Sequence, residues 1–146
     1  MRLTLQTDYA LRLLMYLAAN QNRVVTIADS SRKFDISRNH LMKIAHKLGT
    51  LKYIETVRGR SGGLRLARPA DRINIGKVAR DMENDSAFLD CFEAGQGTCY
   101  IMPSCRLKGL MATALDAFYA SLEHHSLADL TDENPILTEL LVEEAR

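Results

Sequence analysis

Apolar residues recur at helical spacing in the first fifty positions of the chain. Residues 7–20 repeat apolar side chains every three or four positions, which predicts the first helix. Thr26 can cap a second helix that runs to about Phe34, because an acidic residue follows the threonine three positions later. Ser37 can cap a third helix that ends at Gly49. Two short helices joined by a brief turn are typical of a helix-turn-helix.

The pattern then changes to the alternation of a β-strand. Residues 53–57 and 64–67 read as two short strands, and residues 58–63 between them hold three glycines, which favours a tight turn. The sequence therefore predicts a β-hairpin, or wing, after the third helix. Asn74 can cap a fourth helix, and apolar spacing over residues 107–124 predicts a long amphipathic helix.

These elements predict a mainly α fold with a small β-hairpin, namely a winged helix-turn-helix followed by a long C-terminal dimerisation helix. A chain of 146 residues has room for one domain and a small appendage, which excludes a multidomain enzyme. We expect residues 1–82 to form the DNA-binding domain, and residues 83–146 to hold a cysteine-containing loop and the dimerisation helix. The long helix has a wider apolar face than one small domain requires, so we expect a homodimer.

Charge is divided unevenly between these two parts. Residues 1–80 hold 16 of the 19 Lys and Arg but 5 of the 18 Asp and Glu, a balance of +11. The remaining residues have a balance of −10, although the net charge of the chain is only +1. A basic half of this size makes a polyanion the first partner to consider, and double-stranded DNA fits the predicted helix-turn-helix.

The first turn of the third helix carries side chains suited to reading base edges. They lie off the apolar face of that helix, and they are Ser37, Arg38, Asn39, His40 and Lys43. Arginine can donate twice to guanine and asparagine can pair with adenine in the major groove. In the wing, Arg58, Arg60 and Arg65 lie around glycines that let the backbone approach a phosphate or the minor groove.

Three cysteines fall within fifteen residues, at Cys91, Cys99 and Cys105. Their spacing lacks the close Cys-x-x-Cys pair of most structural zinc sites, so an iron–sulfur cluster is favoured over zinc and over unligated redox thiols. Candidates for a fourth ligand are Asp8, His124, His125, water or a residue of a second subunit. A thiol oxidoreductase would leave the basic half unexplained, and we expect no enzymatic activity.

The longest uninterrupted apolar stretch covers residues 13–19, which is far shorter than the roughly 20 residues of a membrane-spanning helix. A secretory signal would combine a basic start with a longer apolar run, whereas Asp8 precedes this stretch and Arg12 interrupts the apolar positions around it. We therefore expect a cytoplasmic protein without a membrane partner.

Three sequence features occur together in one known group of proteins. They are the start at residues 3–12, which reads Leu-Thr-Leu-Gln-Thr-Asp-Tyr-Ala-Leu-Arg, the Arg-Gly-Arg-Ser-Gly-Gly wing at 58–63, and three late cysteines before a long helix. Over residues 1–131 the chain resembles the bacterial iron–sulfur winged-helix transcription regulators, the group that includes IscR, RirA and NsrR. Residues 37–44 look like the recognition helix of the nitric-oxide-sensitive NsrR repressors.

The resemblance also implies a ligand set and a signal. IscR-type proteins have a histidine ligand three residues after the last cysteine, where this chain has Lys108. The NsrR pattern implies a cluster, [4Fe-4S] favoured and [2Fe-2S] possible, held by Cys91, Cys99, Cys105 and by Asp8 from the other subunit. It implies a repressor that responds to nitric oxide. An iron-responsive, RirA-like regulator is the alternative, and a zinc-dependent DNA-binding regulator is less favoured.

Overall fold

The computed structural model describes residues 3–83, 89–92 and 99–142. This part of the chain is mainly helical with one two-stranded antiparallel sheet, which confirms the predicted fold class. The helices are α1 (Leu5–Ala19), α2 (Ile27–Phe34), α3 (Arg38–Thr50), α4 (Ile75–Glu83), α5 (Arg106–Glu123), α6 (Leu127–Thr131) and α7 (Pro135–Leu141). The strands are β1 (Ile54–Val57) and β2 (Gly63–Leu66), and three short 3₁₀ helices cover Ala70–Arg72, Asp90–Phe92 and Met102–Ser104.

Helix α1 lies at the centre of the fold. It begins two residues earlier than the apolar pattern predicts, because the hydroxyl of Thr4 accepts a hydrogen bond from the backbone N–H of Thr7 and caps the helix. Its buried side chains pack against α3, α4, α6, α7 and β2. Leu13, Leu14 and Tyr16 are fully enclosed. This one helix therefore supplies the core on which both the early and the late elements pack.

The helix-turn-helix forms as the capping residues predict. The hydroxyl of Thr26 accepts from the backbone N–H of Asp29 at 3.1 Å, and the Asp29 carboxylate accepts from the backbone N–H of Thr26 at 3.0 Å. Burial alone would raise the pKa of Asp29, but these hydrogen bonds and nearby arginines lower it. Helix α2 ends at Asp35, which adopts a left-handed conformation with φ of 52°. Ser37 then caps α3 as predicted, by accepting from the backbone N–H of His40 at 3.3 Å.

The wing is joined to the helix-turn-helix by backbone hydrogen bonds. Strands β1 and β2 pair in antiparallel register from Ile54 opposite Leu66 to Val57 opposite Gly63. Val25, just before α2, adds a bridge to Leu64 with two hydrogen bonds of 2.7 and 3.1 Å. A Cβ atom at Gly63 would lie 2.5 Å from the Val25 carbonyl oxygen, so this close approach requires glycine.

Helices α4 and α5 make a close contact at one end of α5. Asn74 caps α4 as predicted, and its amide also donates to the Glu123 carbonyl oxygen at the end of α5. Gly76 lies against the backbone of Tyr119 and Glu123. The apolar residues at the other end of α5 include Leu107 and Leu110, which are 58% and 68% exposed. Among the described residues, the contacts of α4 with α5 at Gly76 and Asn74 thus lie in the C-terminal half of α5.

Helices α6 and α7 are elements that the sequence analysis did not predict. Ser126 and Asp129 form a capping box at the start of α6, and Leu127 is fully buried in the common core. Asn20 at the end of α1 donates from its amide to the carbonyl oxygen of Leu141 at 3.1 Å. These late helices share one core with the winged domain. The division into residues 1–82 and 83–146 stays a prediction.

Among the described residues, no helix is long and apolar enough to cross a membrane.

The contact at Gly76 gives a test of the packing between α4 and α5. In Gly76→Ala the new Cβ would lie 2.6 Å from the Glu123 backbone nitrogen and 2.7 Å from the Tyr119 carbonyl oxygen, so the helices must move apart. We expect the free energy of unfolding to fall by about 1–3 kcal/mol, measured by urea denaturation. Gly49→Ala is the matched control, because its Cβ meets only one atom, at 4.0 Å. Equal stabilities for the two variants would contradict the close contact.

Candidate nucleic-acid interface and cysteine segment

The side chains predicted to read DNA form one exposed surface at the start of α3. Ser37, Arg38, Asn39, His40 and Lys43 are all exposed. The opposite face of the helix is buried in the core through Leu41, Ile44 and Leu48. The same helix therefore has one side fixed by packing and one cationic side that is accessible to a large partner.

The turn before α3 fixes the direction in which this helix leaves α2. Ile36 is buried between the two helices, and its carbonyl oxygen accepts from the Ser31 hydroxyl at 2.7 Å. Its backbone N–H donates to the Ser31 carbonyl oxygen at 3.2 Å. Together with the left-handed Asp35, these bonds leave the turn little freedom, so the first turn of α3 is presented on a rigid support.

The wing places two of its arginines at the tip and ties a third to the strand. Arg58 and Arg60 are exposed in the turn between β1 and β2. Gly59 between them has φ of 114°, a conformation that L side chains rarely adopt. Arg65 forms an exposed ion pair with Glu55 on the neighbouring strand at 2.5 Å. The two tip arginines are therefore the wing cations best placed to meet a phosphate.

The three cysteines carry free thiols. Cys91 is half-buried in the 3₁₀ helix Asp90–Phe92, Cys99 is exposed, and Cys105 is half-buried at the N-cap of α5. The rest of the predicted loop, residues 84–88 and 93–98, lies outside the described residues. Among those that are described, no group of three or more His, Cys, Asp or Glu side chains comes close enough to hold a metal ion. The structure of a single chain does not bring the predicted ligand set together.

Asp8, the predicted fourth ligand, lies in the first turns of α1 and forms an ion pair with Arg12. The two side chains are 2.8 Å apart and 41% and 44% exposed. An exposed pair four residues apart on a helix contributes little to stability, roughly 0.3–0.5 kcal/mol, so Arg12 is a weak competitor for this carboxylate. The other candidates, His124 and His125, are exposed at the end of α5.

Sequence reasoning missed the polar residues that connect these regions. The carboxylate of Glu83 accepts from the backbone N–H of Thr4 at 2.8 Å, from its hydroxyl at 2.9 Å, and from the Thr7 hydroxyl. Tyr53 donates to Asp81 at 2.6 Å. No local pattern marks these pairs, because their partners are 28 to 79 positions apart in the chain.

A helix-turn-helix with an exposed cationic second helix and a cationic wing defines a winged-helix DNA-binding protein. The model of the Rrf2 family, described as "Iron-dependent Transcriptional regulator", matches residues 3–133. The chain belongs to the Rrf2 family. It is therefore a DNA-binding transcriptional regulator and not an enzyme.

Several relatives of nearly the same length share the name NsrR. The chain is 42% identical over 142 residues to the HTH-type transcriptional regulator NsrR of Bacillus licheniformis, covering 97% of this chain and 99% of that protein. It is 43% identical over 144 residues to the regulator of the same name from Geobacillus kaustophilus, covering 98% of both. The resemblance to NsrR seen in the sequence is confirmed.

Solved structures support the fold. The oxidized form of CymR from Staphylococcus aureus matches with a TM-score of 0.69 at 22% sequence identity, covering 90% of this chain and 97% of that one. The IscR structure from T. potens matches with a TM-score of 0.66 at 18% identity, covering 89% and 85%. At these identities the likeness extends to the fold alone.

The two parts of the basic surface should differ in what they contribute to DNA binding. We expect Arg38→Ala to relax sequence preference at a cost of roughly 1–3 kcal/mol, because it removes a side chain that is predicted to read base edges. Arg60→Ala should weaken binding evenly across sequences and lower the salt slope by about 1, because it removes a predicted phosphate contact. Band shifts on a site selected from random DNA, at several salt concentrations, measure both effects.

Lys77→Ala is the control for these variants, since it removes an exposed cation from α4, outside the helix-turn-helix and the wing. Unchanged affinity and unchanged sequence preference in both arginine variants would show that DNA is read by another surface.

Proposed function

We propose that the chain is a nitric-oxide-responsive transcriptional repressor, which binds operator DNA as a homodimer and senses through an iron–sulfur cluster. The observation that carries the proposal is the position of Cys105. Cys105 is the N-cap residue of α5 and precedes the exposed Leu107 by two positions, while the exposed cationic surface lies at the start of α3. A thiol beside exposed apolar residues at a helix end gives a regulator a way to link the packing of that helix to a chemical signal.

The exposed face of α5 supports the homodimer. Leu107 and Leu110 lie one turn apart on the same face and leave large apolar surface in water. A second copy of the same helix would cover this face and repeat the contact by two-fold symmetry. Two reading helices related by that axis would fit a near-palindromic operator with half-sites about one helical turn apart.

The donor chemistry of the three cysteines fits iron. Three thiols free of disulfide bonds provide the soft ligands that iron–sulfur clusters take, and at least one of them, Cys99, is open to solvent. When bound, a cluster of this kind would supply an iron atom that reacts with a small diatomic such as nitric oxide. Among the described residues the three cysteines are not grouped closely enough to hold a metal ion, so the proposal requires the thiols to come together around the cluster and a fourth donor to come from another subunit.

Asp8 is the residue we assign to complete the site, from the partner subunit. Its carboxylate is 41% exposed and, in the described part of the chain, forms an ion pair with Arg12. An oxygen ligand on an iron that otherwise has sulfur ligands is the most readily displaced member of the set. Exchange of Asp8 between Arg12 and a metal site would link the start of α1 to the state of the cysteines.

The family description as iron-dependent supports an iron-responsive regulator as the second candidate. Nitric-oxide sensing and iron sensing would use the same residues, and they differ in the reagent that releases the protein from DNA. A zinc site is distinguished by its spectrum, since zinc thiolates do not absorb visible light.

We expect stepwise nitric oxide to release the operator from anaerobically purified protein as the visible absorbance is lost. The physical reason is that the segment from Cys91 to Cys105 can support the winged domain only while a metal holds its thiols together. Band shifts and absorption spectra recorded on the same samples measure the two events. Cys99→Ala is the control, because its exposed side chain contributes little packing and its DNA affinity should not respond to the gas.

Three outcomes separate the candidates. DNA binding that persists after the absorbance has gone would contradict nitric-oxide control. Release by an iron chelator, with no effect of nitric oxide, would establish the iron-responsive alternative. A purified protein that contains zinc and has no visible absorbance would contradict the iron–sulfur proposal altogether.

A further inference from the structure

The last turn of α4 is the meeting point of the DNA-reading elements and the cysteine segment. Asp81, Met82 and Glu83 form this turn. Cys91 follows Glu83 by only eight positions. This turn is therefore the last described helical turn before Cys91, and both the helix-turn-helix and the start of α1 contact it.

The first of these contacts is a hydrogen bond between Tyr53 and Asp81. Tyr53 lies at the corner between α3 and β1, and its side chain is 1% exposed. Its hydroxyl donates to a carboxylate oxygen of Asp81 at 2.6 Å. Burial, and then the neighbouring carboxylate, raises the pKa of Tyr53, so the hydroxyl keeps its proton and remains a donor.

The corner that holds Tyr53 is rigid. Lys52 has a positive φ of 62°, and its carbonyl oxygen accepts from the Arg68 guanidinium at 2.9 and 3.1 Å. The same guanidinium lies over the Tyr53 ring, 4.8 Å from its centroid. Because Arg68 follows β2, this group of residues joins the end of the recognition helix to both strands of the wing.

Two further contacts reach the same turn of α4. Lys47, in the last turns of α3, donates to the Met82 carbonyl oxygen at 3.1 Å. Glu83 accepts hydrogen bonds from Thr4 and Thr7 at the start of α1, the helix that carries Asp8. The turn is therefore held by α3, by the corner before the wing and by α1, each through a different residue.

We propose that Tyr53 and Asp81 are positioning residues that transmit the state of the cysteine segment to the angle between the recognition helix and the wing. The proposal rests on the proposed function, since it needs a signal at the cysteines. It adds a route within one chain, in which a shift at the end of α4 rotates the corner between α3 and β1 that holds Tyr53. DNA would then be released by misalignment of the two reading elements, with the dimer intact.

Tyr53→Phe tests the route directly, because it keeps the ring under Arg68 and removes only the hydroxyl. The quantity to measure is the ratio of operator Kd values between chelator-treated and cluster-loaded protein. We expect this ratio to fall about tenfold relative to the wild type, the scale of one lost hydrogen bond to a charged group. Iron content and the sedimentation coefficient should be unchanged.

Three variants complete the experiment. Asp81→Ala should lower the ratio as Tyr53→Phe does, and it changes a residue that is only partly buried, so folding is kept. Asp81→Asn keeps an oxygen acceptor and should retain most of the ratio. Tyr119→Phe, which removes a tyrosine hydroxyl from α5 and keeps the ring under Arg80 of α4, should leave the ratio at the wild-type value.

Hydrogen exchange gives a readout that does not depend on DNA. In the wild type, removal of the metal should speed exchange in residues 47–53, and in Tyr53→Phe exchange there should be equally fast with and without metal. If Tyr53→Phe and Asp81→Ala both keep the Kd ratio of the wild type, the proposed route is wrong and the proposed function stands. If the Kd ratio of the wild type is itself one, the route and the proposed function are both wrong.

Discussion

The burial of α1 in the centre of the molecule is the constraint on which the rest of the structure depends. Its apolar residues pack against the recognition helix, the wing, α4 and the two late helices at once. Close packing of this kind transmits small shifts, because a core at crystal-like density cannot absorb them locally. The same helix holds Asp8 on its accessible side. A ligand exchange at Asp8 would therefore act on the element that all reading surfaces share.

Helix α5 is exposed at one end, in contrast to the buried α1. Gly76, Arg80 and Asn74 hold its C-terminal half, while its N-terminal half begins at Cys105 and exposes Leu107 and Leu110. Apolar side chains that stay exposed, as Leu107 and Leu110 do within the described part of the chain, are unfavourable in water. Dimerisation and metal binding are thus proposed for the same part of the molecule. In this proposal the basic half would meet DNA and the acidic half would carry the sensor.

Local patterns in the sequence were sufficient for most of the fold. The caps at Thr26, Ser37 and Asn74 depend on residues three positions away, so they could be read directly, and the helices begin there. The capping box of Ser126 and Asp129 was equally local, but the short apolar run after it did not extend far enough to predict α6. Tertiary packing therefore stabilises this short helix, because Leu127 is buried in the common core.

The sequence predicted which residue types form the candidate site, but it did not predict how these residues are arranged in space. Clustered cysteines and an exposed Arg-Asn-His turn identify the chemistry, since each lies within a short stretch of sequence. The contacts of Glu83 with Thr4 and of Tyr53 with Asp81 span 79 and 28 positions, and only the folded chain brings them together. The role of Asp8 came from family resemblance, because the described part of a single chain does not group it with the thiols.

The proposed function depends most directly on a sensing site that is shared between two chains. Mixed dimers of an Asp8→Ala chain and a Cys99→Ala chain contain one site with all four ligands if Asp8 comes from the partner subunit, and none if each chain builds its own. The measurement is the number of clusters retained per mixed dimer after gel filtration, from iron, sulfide and visible absorbance. A shared site predicts one cluster per mixed dimer and none in either parent homodimer. No retained cluster in the mixed dimer, beside a fully loaded wild type, would contradict the shared site.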